Sequence, residues 1–117
     1  MKKLLFIVYQ APCGSIWVNE LFRTAFGMYG EDLEPNVLLM EEASITIGKE
    51  TEPQKLGLFP IKIVQRYISK YETKVYAVKE DLERFNVKDI DENYKAEIIP
   101  MEQVKELVHS SDFVIFM

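Results

Sequence analysis

The chain has 117 residues, nearly half of them apolar, with a net charge of −5, one cysteine and one histidine. That length makes one domain able to bury a core, and the apolar and aromatic content excludes a disordered chain. The acidic balance without a basic cluster argues against direct binding of nucleic acid, the lone Cys13 excludes an internal disulfide or a cysteine zinc cluster, and no apolar run approaches the ~20 residues of a membrane helix. Met1-Lys2-Lys3 opens like a signal peptide, but Tyr9, Gln10 and Pro12 cut the apolar segment short and no cleavage site follows, so the sequence reads as cytoplasmic.

The first element is the run Leu4 to Tyr9, continuously apolar, which predicts a strand covered on both faces. Ala11-Pro12-Cys13-Gly14-Ser15 is a sharp turn. Beyond it Val18, Leu21, Phe22, Ala25, Phe26 and Tyr29 fall at helical spacings on one stripe, and Gly30 suits the residue that closes the helix. Cys13 therefore stands where a buried strand hands over to a helix. Open α/β sheets place ligands and chemistry at such junctions, beside helix amides that favour an anion.

Glu31 to Asn36 reads as an acidic loop ending in Pro35, and Val37 to Met40 as a second short strand. Glu41-Glu42-Ala43-Ser44 leaves its carboxyl end. Ile45 and Ile47 suggest a short helical turn, and Gly48 to Lys55 a mobile polar surface loop. A second helix begins near Pro60, with Ile61, Val64, Ile68 and Tyr71 inward. Lys74 to Val78 is the third strand, Lys79 to Phe85 a short helix with Leu82 inward, and Asp89 to Lys95 a polar connection. Ala96 to Ile99 is the fourth strand. Pro100 opens a helix with Val104, Leu107 and Val108 on one face, and Phe113 to Phe116 is the fifth strand. This alternation predicts a single domain over residues 1–117, a three-layer α/β/α fold with a mainly parallel five-stranded sheet.

Three places resemble the DsrE/DsrF/DsrH superfamily of sulfur-relay proteins, most of all its DsrF or TusC branch. They are Ala11-Pro12-Cys13-Gly14-Ser15, similar to the branch's Ala-Pro-X-Gly-Ser/Thr turn; Met40-Glu41-Glu42-Ala43 after the second strand; and Ile98-Ile99-Pro100 with Ser111-Asp112-Phe113-Val114-Ile115, similar to the family's carboxyl terminus. The resemblance implies a subunit of a complex that passes persulfide sulfur between proteins, for tRNA 2-thiouridine formation or sulfur oxidation. It implies DsrE-like and DsrH-like partner subunits, or a homo-oligomer, and sulfur-donor and sulfur-acceptor proteins. The acceptor cysteine of the DsrE or TusD subunit lies just after the third strand. Here that stretch reads Val78-Lys79-Glu80-Asp81, without cysteine. The expected role is thus structural or partner-contacting, a non-catalytic subunit with no cofactor or metal, unless Cys13 carries sulfur.

A thiol near a helix amino terminus has its thiolate stabilised by free amides and the helix dipole, whereas a small residue in a tight turn needs no chemistry to explain it. Glu41 and Glu42 are either a carboxylate pair for acid/base or metal work, or solvated acids. His109 suits the carboxyl end of the last helix. Trp17, Phe22, Phe26, Phe59, Tyr67 and Tyr71 exceed what a small core requires, and Trp17 above all suits an exposed interface. Two rival classes remain. A phosphocysteine enzyme or carrier would act through Cys13, but low-molecular-weight phosphatases need Cys-X5-Arg, and Asn19 holds that position. The other is a plain interaction domain.

Overall fold

The computed structural model describes residues 2–13, 16–30, 32–51 and 63–117. Five strands, β1 (Lys2–Val8), β2 (Leu33–Leu39), β3 (Lys74–Val78), β4 (Glu97–Ile99) and β5 (Phe113–Phe116), form one sheet in the order β4-β3-β2-β1-β5. Every pairing in that sheet is parallel. Among the described residues the helices are α1 (Trp17–Gly27), α2 (Val64–Tyr71), α3 (Lys79–Arg84) and α4 (Met101–His109), with short 3-10 segments at Glu41–Ile47 and Glu92–Tyr94.

Strand order and crossover hand place the helices. From β1 to β4 the chain steps one way across the sheet, and right-handed crossovers put α1, α2 and α3 on one face. From β4 the chain returns past three strands to the far side of β1, so α4 lies on the opposite face. Alternation within β1 divides the core accordingly. Leu4, Phe6 and Val8 join Val18, Leu21, Phe22, Ala25, Val64, Ile68 and Leu82 on the crowded face. Leu5 and Ile7 join Leu38, Val78 and Ile99 beneath Val104, Leu107 and Val108 of α4.

One helix about 10 Å wide cannot cover a sheet some 19 Å across, so no α4 residue is fully buried. The amino-terminal half of that face is polar instead. Lys3, Glu34, Lys74 and Glu97 stand on successive strands with alternating sign, none of them buried, and Lys3 is directly opposite Glu34 in the register. Cross-strand neighbours of opposite charge are mildly favourable and keep this part of the face in water.

Of the expected acidic loop Glu31 to Asn36, residues 33–36 are in fact the first half of β2, and Glu31 lies outside the described residues. Proline is accepted there because β3 pairs with β2 only from Asn36 onward. Its missing amide deprives no neighbour on that side, and its other neighbour, Leu4, belongs to β1. The loop expected at Gly48 to Lys55 is tied down over its described part: Gly48 is buried and bridges Ile90, the Lys49 amide donates to the Asp89 carbonyl (2.9 Å), and the Asp91 amide to the Ile47 carbonyl (2.7 Å). The remainder of that stretch, with Phe59, Pro60 and Ile61, lies outside the described residues. The connection after Asp89 is likewise partly internal, since Asp91 and Tyr94 are buried.

Glu72 ends α2 in the left-handed region (φ 54°, ψ 39°) with its side chain exposed. Glycine favours that conformation, which costs other residues about 1–2 kcal/mol, though glycine also loses more chain entropy on folding. Glu72→Gly should therefore raise stability by about 0.5–1 kcal/mol in urea unfolding. A midpoint that stays or falls would count against the strain.

Candidate functional site

The carboxyl ends of the strands form a rim, and backbone and carboxylate bonds knit it together. The Met40 amide donates to the Val8 carbonyl (2.9 Å), joining β2 to β1, and the Met117 amide donates to the Ile7 carbonyl (2.8 Å), joining β5 to β1. Glu41 starts the 3-10 segment at positive φ (48°), and its amide donates to the Asp81 carboxylate (2.6 Å). Asp81 is buried in the first turn of α3, with Arg84 3.4 Å away. On the next residue outward, the Glu80 carboxylate accepts the Met101 amide (2.9 Å). It thereby caps α4, whose own cap residue, Pro100, provides no side-chain acceptor.

These two acids were missed in the sequence, where Lys79-Glu80-Asp81 read only as a helix start lacking a cysteine. The available signal was Asp81 next to the inward Leu82, which forces a partner on any carboxylate that shares its burial.

Cys13 lies on this rim between β1 and α1. Its thiol is free and half-buried, and Pro12 beside it is buried. The helix that follows begins after Ile16, which offers no side-chain acceptor to the first-turn amides. Its neighbours Gly14 and Ser15 are outside the described residues. Arg23, the nearest downstream cation, is directed elsewhere: its guanidinium binds the Glu20 carboxylate at 2.6 Å on the exposed surface of α1. That hydrogen bond lowers the Glu20 pKa and raises the Arg23 pKa from their ordinary values.

Glu41 and Glu42 are exposed, and among the described residues no three His, Cys, Asp or Glu side chains are grouped to hold a metal ion. His109 is exposed at the last position of α4. The aromatic surplus has a structural destination. Phe26 meets Tyr67 and Tyr71, Tyr71 stacks on Tyr29 at 4.7 Å between ring centres, and the Tyr29 hydroxyl bonds Thr73 Oγ1 at 2.7 Å. Partial burial raises the Tyr29 pKa. This ladder locks α1 to α2 beside a cleft of about 380 Å³ walled by Asn19, Arg23, Phe26, Ile63 and Tyr67. Cys13 does not line that cleft. Trp17, by contrast, remains 40% exposed, as its sequence position suggested.

No protein-family model matches the sequence, and no curated protein does either. Among solved structures, the ychN protein from E. coli matches with a TM-score of 0.84 over 100% of both chains, at 17% identity. A conserved protein of unknown function from Bacteroides thetaiotaomicron matches with a TM-score of 0.69 and 13% identity, over 97% of this chain and 94% of that chain. The chain has a DsrE-like fold. At these identities the likeness is one of architecture, and fold alone does not assign chemistry.

Proposed function

We propose that the chain is a DsrF- or TusC-like subunit of a sulfur-relay complex that contacts its partners rather than serving as their main persulfide acceptor. The observation that carries this reading is the occupancy of the rim after β3. Where the resembled acceptor subunits carry cysteine, this chain has Glu80 and Asp81, both committed to structural bonds. The partners are DsrE-like and DsrH-like subunits, or further copies of the chain, together with proteins that donate and accept sulfur. The pathway is tRNA thiolation or sulfur oxidation, in the cytoplasm. Among the described residues no helix is long and apolar enough to cross a membrane.

A second reading has its own support, the free, half-buried thiol of Cys13 ahead of α1. As a carrier, its thiolate would attack the outer sulfur of a donor persulfide. The donor would leave as a thiolate and Cys13 would hold the new persulfide. Cys13→Ser separates the two roles, because serine keeps the size of the turn but cannot hold a persulfide. In a non-acceptor subunit the variant should bind partners and support relay within about twofold of wild type, a change of some 0.4 kcal/mol. Thiol-trapping mass spectrometry after exposure to a persulfide donor, with transfer followed in parallel, makes the measurement. An adduct at Cys13 together with transfer lost in Cys13→Ser would replace the first reading with the second. Relay unaffected by removing the whole chain would leave a plain interaction domain.

A further inference from the structure

The two edges of the sheet are built differently. β4 is three residues long, carries Glu97 and runs directly into Pro100, all of which discourage a further strand. β5, Phe113-Val114-Ile115-Phe116, has neither charge nor proline, and no described strand pairs with its outer side. Phe113, Ile115 and Phe116 are 57%, 37% and 64% exposed.

The register puts Phe113 and Ile115 beside Leu4 and Phe6, on the face carrying α1. That helix stands over β1 and β2, and Phe113 and Ile115 keep the exposure given above. Asn19, Arg23 and Phe26 mark the side of α1 turned toward α2. Helical rotation at ~100° per residue brings Trp17 to the opposite side, over the β5 flank. The result is a continuous apolar border along one edge of the molecule.

We propose that β5 pairs antiparallel with β5 of a second copy, making one sheet continuous across the dimer. Two identical edge strands pair this way about a two-fold axis perpendicular to the sheet, which keeps each face of the sheet continuous. Directly opposite residues then share a face. Pairing centred on Val114 sets Phe113 of one copy against Ile115 of the other, and the reverse, with a Trp17 from each copy at either end of the cluster. The same pairing sets each Phe116, on the α4 face, against the exposed Asp112 of the other copy at the two ends of the contact. Area supports a second copy as occupant: counted over both faces of the edge, with Phe116 on the α4 face, the exposed parts of the three β5 side chains and Trp17 amount to roughly 450 Å² of apolar surface. A stable dimer buries about 800 Å² per partner, some 65% of it apolar, or roughly 500 Å². This surface does not depend on Cys13 or on the sulfur reading.

Equilibrium sedimentation of the purified chain at about 50 μM, well above a micromolar dissociation constant, tests the pairing. The expected mass is twice the 13.7 kDa of one chain. Ile115→Lys places a charge in the middle of the contact at a position where the single fold tolerates it, and should halve the mass with an unchanged circular dichroism spectrum. Ile98→Lys, on the exposed β4 edge, should leave the mass intact. In a Cys13→Ser background, Val114→Cys should cross-link copy to copy on mild oxidation, since opposite residues of antiparallel strands lie within disulfide reach. A single-chain mass in wild type would assign the edge to some other chain and overturn the proposal. So would an assembly whose mass survives Ile115→Lys.

Discussion

Phe6→Ala should remove about 3–5 kcal/mol of stability, a large share of the ~5–15 kcal/mol that holds a domain of this kind folded. Phe6 is fully buried in β1, between the β2 and β5 backbones and under the α1 side of the core. Truncation forfeits the transfer energy of the ring and leaves a cavity that strands held on both sides cannot close. Phe116→Ala is the matched comparison, because it too removes a phenylalanine from a short, wholly apolar strand. With Phe116 mostly in water, its loss should stay within about 0.5 kcal/mol. Urea unfolding followed by circular dichroism measures both. It should be run dilute enough that any β5 dimer has dissociated. Equal costs at the two positions would contradict the strand order.

Asp81→Ala should cost about 2 kcal/mol, more than any ordinary substitution of an acid in a first helical turn. The buried carboxylate accepts the Glu41 amide at 2.6 Å, and Glu41 holds a positive φ that glycine would more commonly fill. Removing the acceptor strands that amide and releases the link between the ends of β2 and β3. Asp81→Asn keeps an acceptor oxygen but loses its charge, and should recover about half the loss. Hydrogen exchange at the Glu41 amide reads the local effect, and it should quicken in Asp81→Ala well beyond the change in global stability. Protection that falls only in step with global unfolding would reduce Asp81 to a packing residue.

Much of the fold was legible because each segment carries its own period. β3 and β5 lie where their apolar runs end, at Lys74–Val78 and Phe113–Phe116, and the buried members of α1 are those of its 3.6-residue stripe. The parallel sheet follows from strands and helices alternating at crossover length, and Cys13 falls between β1 and α1, where the apolar run has ended and the helical stripe has not begun. The aromatic excess on α1 and α2 was visible, though its resolution into a stacked ladder was not.

What the tertiary structure decided is which strand stands beside which. An apolar run reports that a segment is fit for burial, and nothing in its period says whether a neighbour will arrive. The return crossover from β4 to the far side of β1 makes the wholly apolar Phe113–Phe116, read only as the fifth strand, an exposed edge. The late start of β3 lets Pro35 sit inside β2, and the bridge from Gly48 to Ile90 pins the described start of a stretch that polarity alone marked as mobile. The roles of Glu80 and Asp81 arise the same way, since their partners Met101 and Glu41 lie 21 and 40 residues away in sequence. Local sequence fixes which backbone groups need a partner, and only the folded chain brings the distant carboxylates to them.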